Sequence, residues 1–119
     1  MAKVLVVDDS PTETHRLRKL LEGKGHQVLT ADTGEAGVSL AKQDQPDLVL
    51  MDIVMPGLNG FQATRQLSRA PETSHIPVVI VTTKSQEADQ VWGERQGAKA
   101  YVTKPFDEKS LIKVISQFI

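Results

Sequence analysis

Four short apolar runs in the 119-residue chain have the length of β-strands but lack the alternation of polar and apolar residues that a half-exposed strand has. They span residues 4–7, 48–51, 78–81 and, more weakly, 100–102. Strands covered on both faces have this pattern, which is typical of a parallel sheet. A fifth, more mixed segment at residues 27–31 is predicted as a strand at the edge of that sheet.

The segments between these runs have helical spacing and residues that start helices. The first helix is predicted to begin at Pro11, with Ser10 as its N-cap and Glu13 completing a capping box. Asp107 is a suitable N-cap for the last helix. Four further helices are predicted at residues 34–43, 60–69, 86–96 and 108–118.

This alternation of strands and helices, (βα)₅, predicts an α/β fold. Right-handed βαβ units of this kind build a doubly wound, five-stranded parallel sheet. The chain has the length of one domain, so residues 1–119 are predicted to form a single domain with no room for an output domain. In such sheets ligands bind outside the carboxyl ends of the strands.

Composition argues against several classes of protein. Fourteen basic and fifteen acidic residues give a net charge of −1, which disfavours a nucleic-acid partner or a polybasic membrane anchor. The chain has no cysteine, so disulfides and thiolate metal sites are excluded. No apolar segment has the length of a signal peptide or a membrane span. We therefore expect a cytoplasmic protein that does not insert into membranes.

Five polar residues stand at the predicted carboxyl ends of the strands. Asp8 and Asp9 follow the first, Asp52 the third, Thr82 the fourth and Lys104 the fifth. Each aspartate could simply cap the helix or turn after its strand. As a group, however, three carboxylates in one crevice repel one another and favour a multivalent cation. Oxygen ligands without cysteine or histidine indicate Mg²⁺ rather than zinc.

The same five residues have the right chemistry for phosphoryl transfer. An aspartate can attack phosphorus to form an acyl phosphate, and catalysis then depends on positioning and charge neutralisation. In this interpretation Asp52 is the nucleophile, and Asp8 and Asp9 hold the metal directly or through water. Lys104 is a cationic donor to the phosphoryl oxygens, and Thr82 is a hydroxyl donor.

Five sequence motifs make the chain resemble the receiver domains of bacterial two-component response regulators from residue 3 to the last helix. The resemblance implies a CheY-like sheet with strand order 2-1-3-4-5. In order along the chain, the motifs are Val6-Val7-Asp8-Asp9-Ser10, residues 47–57, Val81-Thr82-Thr83, Gly97-Ala98 with Tyr101, and Lys104-Pro105-Phe106.

The resemblance also implies roles for single residues. Asp52 is expected to become 4-aspartylphosphate, and the carbonyl of Val54 to join Asp8, Asp9 and Asp52 as a ligand of Mg²⁺. Thr82 and Tyr101 are the expected switch pair, whose movement remodels the face formed by the fourth helix, fifth strand and fifth helix. The Lys104–Pro105 peptide bond is expected to be cis.

The function implied by the resemblance is that of a single-domain response regulator. It would take its phosphoryl group from a CheA-type histidine kinase and signal, as a monomer, to an unknown downstream protein. It would catalyse only its own phosphorylation and dephosphorylation. Within the family, the motifs are most similar to those of regulators of pilus-driven twitching motility, and chemotaxis-type control has the same architecture.

Other functions remain open at this point. A phosphate sink or a phosphorylation-independent interaction module would keep the fold and differ in output. A flavodoxin-like FMN protein shares the sheet order, although its first loop would be rich in Ser, Thr and Gly rather than acidic. A Mg²⁺-dependent phosphatase would want a second acid two residues after Asp52, where Val54 stands.

Trp92 is the only tryptophan, and its place in the predicted fourth helix allows two interpretations. Because Val91 and Trp92 are adjacent, they cannot both face the sheet. Packing of Trp92 against neighbouring side chains is the preferred interpretation. A partner-binding surface is the alternative, since tryptophan is favoured as an interface anchor.

Overall fold

The computed structural model describes residues 1–119, which form one parallel sheet with helices on both faces. The sheet has the strand order β2-β1-β3-β4-β5, so the predicted (βα)₅ order and the 2-1-3-4-5 topology are confirmed. No helix is long and apolar enough to cross a membrane. The elements are β1 (Lys3–Val7), α1 (Pro11–Gly23), β2 (Gln27–Ala31), α2 (Gly34–Asp44), β3 (Leu48–Met51), α3 (Gly60–Arg69), β4 (Val78–Thr82), α4 (Glu87–Arg95), β5 (Ala100–Thr103) and α5 (Glu108–Ile115).

The strands lie where the apolar runs predicted them, and β2 is an edge strand as expected. β1, β3 and β4 are flanked on both sides, and apart from Lys3 their residues are buried, which is why their sequences show no polar alternation. Side chains alternate between two apolar cores, one on each face of the sheet. This rigid central layer fixes where the strands end.

Side-chain caps start most of the helices, and one of them differs from the prediction. The Ser10 hydroxyl accepts a hydrogen bond from Glu13 N at 3.3 Å, as expected of an N-cap. The return half of the predicted capping box is absent, because Ser10 N donates instead to Asp8 Oδ1 at 2.9 Å. The Asp8 carboxylate thus takes the place predicted for Glu13. Asp107 caps α5 as predicted, accepting from Ser110 N at 3.1 Å.

α4 and α5 are shorter than predicted, and α4 is poorly buried. α5 ends at Ile115 rather than 118, with a turn in which Phe118 N bonds the Ile115 carbonyl. Gly93 is the only buried residue of α4. Trp92 is 48% exposed and Val91 43% exposed, so neither side chain faces the sheet, and about half of Trp92 is open to a partner. The ring of Tyr101 and the tip of Ile80 lie close beneath α4 at Gly93, so a larger residue there would push these side chains aside.

Candidate functional site

The parallel register of β1 and β3 brings the three acidic residues together. Val7 is paired with Met51, and Asp52 N donates to the Val7 carbonyl at 2.9 Å. The residues that follow these strands, Asp8 and Asp52, therefore lie side by side. Each of Asp8, Asp9 and Asp52 offers a carboxylate oxygen, and these oxygens lie within 4.8 Å of one another.

Asp52 is held in a buried environment of mixed charge. It is 8% exposed, and its Oδ1 accepts a hydrogen bond from Ile53 N at 2.8 Å. Its Oδ2 lies 3.7 Å from Lys104 Nζ. Burial raises the pKa of Asp52 above its usual value, and the nearby Asp8 carboxylate also raises it. Lys104, Thr82 and the Ile53 N–H lower that pKa without cancelling the effect of burial.

Asp8 is the most strongly anchored of the three carboxylates. Its Oδ1 accepts from Ser10 N, and its Oδ2 accepts from Lys104 Nζ at 2.7 Å. Lys104 follows β5, and its own N–H donates to the Thr82 carbonyl at 2.7 Å, which fixes the backbone beside β4. The Lys104–Pro105 peptide bond is cis, the geometry that the family resemblance implies. Asp9, in contrast, is exposed.

The donor set fits a hard divalent cation. Two buried carboxylates and one exposed carboxylate supply oxygen ligands, with neither cysteine nor histidine among them. The carbonyl oxygen of Val54 accepts no backbone hydrogen bond and so keeps its lone pairs free, while the Val54 side chain is 54% exposed. One lysine beside two buried acids leaves negative charge uncompensated, and Mg²⁺ would balance it.

Thr82 and Tyr101 are connected through the backbone of Lys84. The Thr82 hydroxyl, fully buried at the end of β4, accepts from Lys84 N at 3.4 Å. The Tyr101 hydroxyl donates to the Lys84 carbonyl at 2.7 Å. Burial, with smaller contributions from Asp89 and Asp52, raises the pKa of Tyr101 to about 12. The backbone of Lys84 thus connects the two predicted switch residues.

Two glycines near the site were not found by sequence reasoning. A Cβ on Gly60 would collide with the Asp52 carbonyl oxygen and with Ile53 Cα. A Cβ on Gly93 would lie 2.8 Å from Ile80 Cδ1 and 3.3 Å from the Tyr101 ring. Gly60 begins one predicted helix and Gly93 lies within another, yet only the folded chain shows which atoms each glycine approaches. The contacts of the Lys84 backbone with Thr82 and Tyr101 were likewise not predicted, because sequence spacing does not show them.

The sequence was also compared with models of known protein families. The model of the response regulator receiver domain matches residues 4–116. The chain belongs to this receiver family. The resemblance inferred from the five motifs is therefore confirmed.

Some relatives of this receiver domain have about the same length, and others are much longer. It is 66% identical over 116 residues to protein PilH of Pseudomonas aeruginosa, an alignment that covers 98% of this chain and 96% of PilH. This bears out the expected similarity to that regulator. It is 38% identical over 110 residues to the response regulator PleD of Caulobacter vibrioides, covering 92% of this chain but 24% of PleD.

Solved structures show the same fold. The chemotaxis protein CheY4 of Vibrio cholerae superposes with a TM-score of 0.93 at 28% identity, covering 100% of this receiver domain and 99% of CheY4. The receiver domain of a sensor histidine kinase from Pseudomonas aeruginosa superposes with a TM-score of 0.91 at 25% identity, covering 98% and 96%. That structure has a magnesium ion coordinated in its active-site cleft.

Proposed function

We propose that this chain is a receiver domain spanning residues 1–119, which accepts a phosphoryl group from a histidine kinase on Asp52. The observation that carries the proposal is the gathering of Asp8, Asp9 and Lys104 around the buried carboxylate of Asp52. A capping role for each acid would not require the three to lie within 4.8 Å of one another. Membership of the receiver family supports the same conclusion.

The residues of the site divide the chemistry between them. A carboxylate oxygen of Asp52 attacks phosphorus, so an O–P bond forms while the P–N bond to the kinase histidine breaks and the imidazole leaves. Lys104 then donates to the phosphoryl oxygens, exchanging part of its contact with Asp8 for them. The Ile53 N–H holds Oδ1 of Asp52 and keeps the carboxylate oriented.

Mg²⁺ is proposed as the cofactor, held by Asp8, Asp9, Asp52 and the carbonyl of Val54. When bound, it would supply positive charge to neutralise the acids and the incoming phosphoryl oxygens. The magnesium ion in a related receiver domain supports this assignment. Without it, only Lys104 offsets the repulsion between Asp8 and Asp52.

The phosphoryl group would change the surface through Thr82, Lys84 and Tyr101. A Thr82 hydroxyl that turns to donate to the phosphoryl oxygen gives up the bond from Lys84 N. The Lys84 carbonyl also holds Tyr101, so a shift of this segment releases the tyrosine ring. The face of α4, β5 and α5 is then remodelled for a protein partner.

The likeness to PilH supports a role in pilus-driven twitching or chemotaxis-type motility. In that role a CheA-type kinase donates the phosphoryl group, and the domain acts as a cytoplasmic monomer on a downstream protein. Its chemistry is limited to its own phosphorylation and dephosphorylation.

Phosphorylation with acetyl phosphate and Mg²⁺, followed by mass spectrometry, tests the proposal. The wild type should gain one phosphoryl group, mapped to Asp52, and should lose this reaction in EDTA. Asp52→Asn should stay unmodified. Asp32→Asn is a matched control, because Asp32 also follows a strand, β2, but lies outside the cluster of three acids. An unmodified wild type, or modification of Asp52→Asn at full yield, would disprove the assignment.

A further inference from the structure

A groove of about 320 Å³ between α3 and α4 lies away from the proposed output face. α4 separates it from Tyr101, which lies with Gln90 and Glu94 along the β5 side of the helix. The groove therefore opens on the α3 side of α4, whereas Tyr101 lies on the β5 side of the same helix. Its lining residues are Asn59, Phe61, Gln62, Arg65, Trp92 and Gln96.

The apolar part of the groove consists of two aromatic side chains. Trp92 is half-exposed on α4 although it is the largest apolar side chain in the chain. Phe61, on α3, packs against the small core of Ile53, Ile80 and Ala98 and is only partly buried. Aromatic anchors that border an open cavity are typical of protein–protein interfaces rather than of ordinary surface.

The charged part of the groove is positive. Arg65 lies in it, Arg69 follows one turn later on α3, and Arg95 follows Trp92 by one turn on α4. None of the three has a carboxylate within 4.0 Å, since the chain's salt bridges involve only Lys84 and Lys104. α3 has no acidic residue at all. These guanidinium groups are therefore available to carboxylates of another molecule.

We propose that this groove binds an acidic segment of a partner protein. An apolar side chain of that segment enters between Phe61 and Trp92, and a neighbouring carboxylate pairs with Arg65. Charge complementarity decides between this occupant and a second copy of the chain. A two-fold pairing through the groove would bring the arginines of both copies together, which disfavours self-association.

Binding selection with a random peptide library provides the first test. The probe is a phage-displayed library panned on the unphosphorylated wild type without Mg²⁺, with counter-selection on Trp92→Ala. We expect enrichment of peptides that combine Asp or Glu with Leu, Phe or Trp. No enrichment, or a basic or uncharged consensus, would overturn the proposal.

Titration with one selected peptide then locates the site. Because Trp92 is the only tryptophan of the chain, a selected peptide that itself lacks tryptophan should change the Trp92 fluorescence on saturation of the wild type. By anisotropy of the labelled peptide, Trp92→Ala and Arg65→Glu should each weaken binding by about tenfold or more. Gln90→Ala, on the other side of α4, is the matched control and should bind like the wild type. Equal binding by Arg65→Glu would overturn the charge argument.

Two further measurements separate this surface from the other possibilities. Circular dichroism melts of both groove variants should match the wild type, since the mutated side chains are exposed. Sedimentation should give a monomer, and a dimer that Trp92→Ala dissociates would identify a second copy as the occupant and overturn the proposal. Asp52→Asn should bind the peptide normally, so the result does not depend on the phosphorylation chemistry.

Discussion

The acidic site at the strand ends and the surface of α4 are built in opposite ways. At the site, Asp8, Asp52 and Lys104 are nearly buried, and each is tied to backbone or to a charged partner. α4 rests on the sheet through one buried residue, Gly93, and its N-cap Gln86 makes no side-chain capping bond. More interactions therefore hold the acidic site in place than hold α4.

This difference indicates where the molecule can move. Displacing the backbone at Asp52 would break sheet hydrogen bonds and uncover buried charge, which is costly. Displacing α4 would uncover little apolar surface, and a small energy suffices. A phosphoryl group added to Asp52, in the rigid acidic site, could therefore shift the loosely packed α4. Substitutions at two glycines and at Asp52 test this comparison.

Gly60→Ala should have the largest effect, because the new methyl group meets backbone atoms that cannot move aside. It collides with the Asp52 carbonyl oxygen and with Ile53 Cα, both fixed by the end of β3. We expect a loss of unfolding free energy of about 3 kcal/mol or more, the scale of severe overpacking. Urea unfolding followed by circular dichroism measures it.

Gly23→Ala is the matched control for the substitution at Gly60. Gly23 ends α1, and an added Cβ would meet nothing within 4 Å. Alanine is the better helix former, so stability should be unchanged or rise by up to about 1 kcal/mol. If Gly60→Ala were as harmless as this control, the strand-end backbone would be less constrained than the contacts indicate.

Asp52→Asn should stabilise the protein at neutral pH in the absence of Mg²⁺. Burial and Asp8 raise the pKa of Asp52 when the chain folds, so ionised Asp52 opposes folding. Removing its charge should raise the unfolding free energy on the order of 1 kcal/mol, the scale of a desolvation penalty. Loss of the contact with Lys104 offsets part of this gain.

The pH dependence of this effect has a definite sign. A raised pKa means that the folded state binds the proton more tightly, so the destabilising contribution of Asp52 to the wild type fades as pH falls through the raised pKa. The advantage of Asp52→Asn is therefore largest at neutral pH and shrinks toward the unfolded-state pKa of 3.8. Thermal melts from pH 7 to pH 4 measure it. An advantage that grew on acidification would contradict the raised pKa.

Much of the fold and the site could be predicted because both depend on local sequence and strand order. Buried parallel strands have apolar runs, and the residues after them meet at one edge, which placed Asp8, Asp52 and Lys104 correctly. The capping box at Glu13 was wrong because Asp8, from the preceding strand end, competes for Ser10 N. The sequence left open whether Trp92 is exposed, because only the folded chain shows that α4 meets Tyr101 and Ile80 through Gly93.

Gly93→Ala should have the smallest effect on stability and the most local effect on structure. Its Cβ would meet a flexible tip, Ile80 Cδ1, and the edge of the Tyr101 ring, which can both give way. The helix propensity of alanine adds about 1 kcal/mol and offsets the crowding. Net stability should therefore change by less than about 1 kcal/mol, in contrast to the same substitution at Gly60.

The local effect should be visible in the titration of Tyr101, the only tyrosine. Burial under α4 raises its pKa to about 12. If the methyl group pushes the ring into solvent, phenolate becomes easier to form and the pKa should fall toward the unperturbed 10.0. Ultraviolet absorbance of the phenolate measures this, with circular dichroism at each pH to confirm that the domain is folded. An unchanged tyrosine pKa would mean that α4 moves instead of the ring, and that the helix rather than Tyr101 is the less constrained partner.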